Sequence, residues 1–118
     1  MAEELDRLEA VGLLDDGRFA QEFAEHELDR RLSGRRAVAE GLASKGIDRA
    51  TIARVLAEIP GDEEERAARL AATRATSLRG LSREVAFRRL MSFLVRRGHD
   101  PELARRVCRT VLGADEDG

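Results

Sequence analysis

LASKGIDRATIARV (Leu42–Val55) lies on LVRRGHDPELARRV (Leu94–Val107) when the chain is shifted by 52 positions. Leu42 meets Leu94, Lys45 meets Arg97, Gly46 meets Gly98, Asp48 meets Asp100, Arg54 meets Arg106 and Val55 meets Val107. In both copies a glycine stands where one helix stops, and an aspartate two residues later can accept from the free N–H groups of the next. Asp100 is followed by Pro101, whose fixed φ suits the first helical position. A stop and a start repeated at one spacing describe a duplicated unit.

Outward from these two stretches the apolar spacing is helical everywhere. Asp15 or Asp16 can cap a helix with Phe19, Phe23, Ala24 and Leu28 inside, closed by Leu32 and broken at Ser33-Gly34. Val38 and Leu42, with the small Ala39 and Ala43, make the next stripe, stopped by Gly46. Asp48 opens a helix lined by Ile52, Val55, Leu56 and Ile59, which Pro60-Gly61 ends. Asp62 with Glu65 has capping-box spacing and opens a helix to about Leu78. Ser82 opens another, with Val85, Phe87, Leu90, Met91, Phe93 and Leu94 inward, and the last helix runs to Leu112. Leu5, Leu8 and Val11 form a short stripe before Gly12. The expectation is seven helices and no strand.

The fold class is therefore all-α, with tandem three-helix repeats in an elongated array, because one such unit alone exposes too much apolar surface. Residues 13–60 and 61–113 each form a repeat, residues 114–118 are an acidic disordered tail, and residues 1–12 hold the last helix of an incomplete first repeat. That leftover helix implies either a naturally short protein or a piece cut inside a longer array.

Hydrophobic residues are 42% and charged residues 37% of the 118, as in a globular chain, while aromatics are only 3%. No apolar run reaches the length of a membrane span, and no charged-then-apolar leader is present. The single cysteine, Cys108, leaves no partner for an internal disulfide, so a reducing cytoplasm is the expected location. Net charge is −2, but it is divided: residues 1–29 carry −8, 30–59 carry +4, 62–65 carry −4 and 66–112 carry +9. Such blocks read either as solvated helix faces or as a basic surface for a phosphate backbone or an acidic protein.

GLLDDGRFA (Gly12–Ala20), SGRRAVAEGLASKGI (Ser33–Ile47) and FLVRRGHD (Phe93–Asp100) resemble the RecX family, regulators of the bacterial RecA recombinase. The resemblance covers Leu5 to Leu112. It implies an elongated, all-helical protein of three-helix repeats that binds RecA filaments along their groove and can also bind single- or double-stranded DNA. It further implies inhibition of filament extension, ATP hydrolysis and strand exchange, and hence a place in DNA recombination, DNA repair and the SOS response.

Asp15 and Asp16 read as helix-capping charges, because no calcium-loop spacing, nucleophile or phosphate-cradling loop accompanies them. His26 reads as a surface histidine and His99 as a half-buried one, and neither as a metal ligand. Cys108 aligns with Leu56 and reads as a buried thiol. Phe19, Phe23, Phe87 and Phe93 sit among apolar neighbours and read as core rather than as platforms for bases. Neither a catalytic residue nor a cofactor is expected.

The arginines remain. Arg30, Arg31, Arg35 and Arg36 cluster at the Ser33-Gly34 break, with Lys45 beyond, and Arg88, Arg89, Arg96 and Arg97 lie on the equivalent helix of the second unit. Arg89 and Arg96 share a helix face, as do Arg31 and Arg35 if the helices run on through the break. These nine residues are the expected partner-binding ridge, for RecA or for DNA, since guanidinium forks suit carboxylate and phosphate alike. The rival readings are a plain nucleic-acid-binding protein and a scaffold fragment without activity of its own. The residues leave the oligomeric state open.

Overall fold

The computed structural model describes residues 16–113 apart from Pro60. Six helices and no strand occur among them: α1 (Asp16–Glu25), α2 (Arg35–Ser44), α3 (Arg49–Glu58), α4 (Glu63–Ala75), α5 (Arg83–Arg96) and α6 (Pro101–Val111). The expected helix at Leu5–Val11 and the acidic tail lie outside the described residues.

Capping chemistry sets the boundaries. The Asp48 carboxylate accepts from Thr51 N–H at 2.7 Å, and Asp100 accepts from Glu102 and Leu103 N–H at 3.0 and 3.2 Å. Ser82 caps α5 through Val85 N–H. The Asp62 side chain takes the N–H of Glu64 rather than that of Glu65, so the hydroxyl-type box spacing is not used in its usual form. Gly46 and Gly98 sit at φ +86° and +95°, and in both turns an N–H reaches back to a leucine carbonyl, Ile47 to Leu42 and His99 to Leu94. The two copies read in sequence are thus the same helix-turn-helix corner in space.

Each three-helix repeat has its own core. Ala20, Ala24, Leu28, Val38, Leu42, Ile47, Ile52 and Val55 fill the first. Leu70, Leu78, Leu90, Leu94, Val107 and Cys108 anchor the second, with small Ala67, Ala71, Ala86 and Ala104 between them. Cys108 is fully buried, as its alignment with Leu56 implies, and burial pushes its thiol up to about 11. The phenylalanines are packed against these cores and partly buried. Ala43, expected inside, is exposed, whereas Ala20 is fully buried.

The main departure lies at the first break. The helix does not run to Leu32: after Glu25 the chain widens into a π turn, His26–Arg30, and Arg31 N–H closes on the His26 carbonyl. Leu32 then adopts φ +55°, a conformation that costs a residue with a Cβ about 1–2 kcal/mol. Its side chain packs against the core of the second repeat, which offsets that cost. Because the helix stops here, Arg31 and Arg35 do not share a continuous face. The whole molecule measures 62 × 26 × 19 Å, an elongated body.

Candidate functional site

Two arrangements of polar groups distinguish this structure from a plain stack of helices. The first is the joint between repeats. Here the break of repeat one, Leu32–Gly34, meets the corner of repeat two, Arg97–His99. Gly34 N–H donates to the Arg97 carbonyl at 2.8 Å, and Arg36 N–H to the Gly98 carbonyl at 3.2 Å. The backbones touch so closely that a Cβ on Gly34 would lie 2.2 Å from Gly98 O. His99 is fully buried, not half-buried as its sequence position suggests, because the joint closes over it. Its Nε2–H donates to Leu32 O at 2.9 Å, and its Nδ1 faces Glu63 Oε2 at 3.6 Å, a polar contact too long for a hydrogen bond.

Glu63, at the start of α4, ties this joint together. Its Oε1 accepts from Arg35 N–H at 3.2 Å and lies 3.7 Å from the buried Arg66 guanidinium. Burial alone would push the Glu63 carboxyl up; contact with His99, the Arg35 N–H and the Arg66 charge together outweigh it and hold the carboxyl below the usual range. A depressed carboxylate stabilises the fold above its unfolded value and loses that contribution as pH falls through the folded one. Urea midpoints measured from about pH 6 down to pH 3 should therefore fall more steeply for the native chain than for Glu63→Gln. Parallel curves would remove Glu63 from the joint's electrostatics.

The second arrangement is a cleft of about 500 Å³ between α4 and α5. Arg88, Ser92 and Arg96 line it from successive turns of α5, joined by Arg89, with Arg74 from the last turn of α4 and Ser77 and Leu78 from the short turn, Thr76–Leu78, that follows it. Arg74 lies over the Phe93 ring, 4.5 Å from its centroid. None of the four arginines is held in an ion pair among the described residues.

The nine residues of the expected ridge divide between these places. Arg88, Arg89 and Arg96 are exposed and share the cleft. Arg35 turns its guanidinium onto the Leu56 carbonyl, and Arg97 turns its own onto the Arg31 carbonyl beside Phe93. Arg31 pairs with Glu27 at 3.6 Å, and Arg36 with Asp100 across the joint at 3.1 Å. Lys45 sits over the Phe23 ring at 5.2 Å, and Arg30 is exposed beside the break. Of the first repeat's five, Arg36 reaches across the joint, Arg31, Arg35 and Lys45 are engaged within their own repeat, and the second repeat presents the open cluster. Sequence reasoning missed Arg74 and Ser92 in the cleft and Glu63 and Arg66 in the joint. The spacing of 88, 92 and 96 was a usable signal for Ser92, whereas Arg74 arrives only through the α4–α5 packing.

Comparison with known proteins agrees with this architecture. Residues 15–56 match the family model described as the second three-helix domain of RecX, and residues 62–108 match that of its third three-helix domain. The chain is 39% identical over 117 residues to the regulatory protein RecX of Streptomyces coelicolor, covering 98% of this chain and 61% of that protein. It is 39% identical to that of Thermobifida fusca, with 94% and 60% covered, and 40% identical to that of Mycobacterium leprae, with 96% and 67% covered. The chain thus spans about three-fifths of the length of the first two of these relatives. No solved structure gives a significant match. No helix among the described residues is long and apolar enough to cross a membrane.

Proposed function

The chain belongs to the RecX family of regulatory proteins, and from that premise we propose that it binds RecA filaments and inhibits them without catalysing a reaction. The observation that supports this reading is the joint. Main-chain hydrogen bonds and a buried histidine fix two repeats as one stiff body, which can touch successive protomers of a helical polymer without first being ordered. A polymer offers the same site many times, so modest affinity per contact yields strong occupancy. The chain acts by occupying surface: its one thiol is buried and pushed up to about 11, far from a reactive thiolate. In a cell such a protein restrains recombination and the SOS response in the cytoplasm.

The test is RecA ATP hydrolysis on single-stranded DNA, titrated with this chain. The expected result is a several-fold fall in rate at less than one chain per RecA. An unchanged rate at large excess would overturn the reading. A second reading, direct binding to DNA, is favoured by one observation only, the open basic cleft.

A further inference from the structure

We propose that a groove at the far end of the second repeat binds an acidic amphipathic helix, the segment Glu3–Val11 of a second copy of this chain, so that rods join head to tail. The contact needs no RecA, so it stands or falls apart from the regulatory reading.

The groove holds about 550 Å³ and lies at the end of the second repeat away from the joint. Helix α4 starts at the joint with Glu63 and ends at the groove with Ala75; α5 starts at the groove with Arg83 and leads to Arg97 in the joint. Leu78, Ala86, Val111 and Leu112 form an apolar wall, and Arg79 and Arg83 flank it. Leu81 stands in the same wall and is 39% exposed. A leucine left this open in a concave apolar surface marks a place where a partner sits.

The position within the repeat supports the same reading. The groove contains the break of the second repeat, and the first repeat uses its own break to meet a neighbour. Leu32 and Gly80 each stand two residues before a helix N-cap, Gly34 and Ser82, and both have positive φ, +55° and +90°. The first break is covered by the corner Arg97–His99. A corner of that kind does not fit the second break. A Cβ on Gly34 would lie 2.2 Å from Gly98 O, and Ser82 carries such a Cβ. The occupant of the second break therefore enters with side chains and not with backbone.

The chain itself holds a segment of the required chemistry. Leu5, Leu8 and Val11 have helical spacing, and Glu3, Glu4, Asp6 and Glu9 stand against Arg7 alone. The leucines suit the apolar wall, and the acids suit its arginine rim. Residues 114–118 leave beside the groove, where Arg83 donates to the Gly113 carbonyl at 3.2 Å, but they offer no large apolar side chain. The segment comes from another copy because its own tether is too short. From Val11 to Asp16 the chain reaches at most about 18 Å. Helix α4 alone puts roughly 20 Å between joint and groove, and Asp16 belongs to the repeat beyond the joint. Groove and segment are different surfaces, so the contact is heterologous and can repeat from rod to rod.

Sedimentation equilibrium of the whole chain at low salt tests this. One short helix is a small interface, so self-association is expected near about 100 μM. Leu81→Asp and Leu5→Asp/Leu8→Asp should each weaken it at least about tenfold, because each sets a carboxylate against an apolar surface. Mixed in equal amounts, the two variants should pair and stop at two, since one keeps the segment and the other keeps the groove. Arg79→Glu, at an exposed position, should weaken association about fivefold at low salt and little at high salt. That variant keeps the test decisive if Leu81→Asp folds poorly. Association of Leu81→Asp equal to that of the native chain, or a mixture that stays monomeric, would overturn the contact. So would a native chain that stays monomeric at the highest concentration, since the groove would then be covered by residues 114–118 of its own chain or by another protein.

Discussion

Gly98→Ala should unfold at much lower urea than Gly46→Ala, although the two glycines are counterparts in the repeat. Both have positive φ, +95° and +86°, so each substitution carries the same left-handed penalty of about 1–2 kcal/mol. The surroundings differ. A Cβ on Gly46 meets nothing within 4 Å among the described residues, whereas one on Gly98 would lie 2.4 Å from Ala37 N and 2.5 Å from Ala37 Cβ. The obstacle is backbone, not the end of a flexible chain, so the joint must part. Parting it removes the Gly34–Arg97 and Arg36–Gly98 hydrogen bonds and uncovers His99. The expected cost is about 4 kcal/mol at Gly98 against about 1 at Gly46. Urea unfolding of the two variants side by side gives the answer, and equal midpoints would show that the glycine contact does not hold the repeats together.

The second large effect belongs to His99. Its counterpart in the first repeat is Ile47, which is 7% exposed, so the position is a core position in both repeats. At 99 the imidazole adds a hydrogen bond to Leu32 O, a carbonyl carried by a residue already held at φ +55°. His99→Ala leaves a cavity, an unpaired buried carbonyl and a Glu63 carboxylate without its neighbour, with a loss of about 4 kcal/mol. His99→Leu restores most of the volume and leaves the carbonyl unpaired, with a loss of about 2 kcal/mol. Denaturant unfolding at neutral pH separates them. If alanine and leucine cost the same, the hydrogen bond dominates and packing does not; if alanine costs less than about 1 kcal/mol, His99 does not hold the joint at all.

What could be read in the sequence was local. Gly46 with Asp48 and Gly98 with Asp100 announce their corners because a left-handed stop and a carboxylate cap act within five residues of themselves. The periodic leucines placed both cores for the same reason. The joint was not legible, since nothing near Gly34 or Gly98 in the chain says that the fold sets one against the other, and Arg36 finds Asp100 across 64 positions. His99 looked half-exposed because a corner usually faces water; only the neighbouring repeat buries it. The arginine ridge was drawn by matching clusters in sequence, but α5 begins four residues further ahead of its corner than α2, so matched arginines meet different surroundings. Arg36 stands ten residues before Gly46 as Arg88 stands before Gly98, but Arg36 lies in the first turn of α2 and pairs with Asp100, whereas Arg88 lies in the body of the longer α5. The first repeat's basic residues therefore meet carbonyls and acids, while those of the second line an open cavity.

The closure between Leu32–Gly34 and Arg97–His99 has a mechanical consequence. Main-chain groups form both jaws of that contact, so a load along the rod is carried by backbone hydrogen bonds as well as by the side-chain contacts of Arg36 and Arg97. Bending must then begin by fraying helix ends, as in a hinge pin that outlasts the plates it joins. Whatever the rod lies against meets a fixed gauge length.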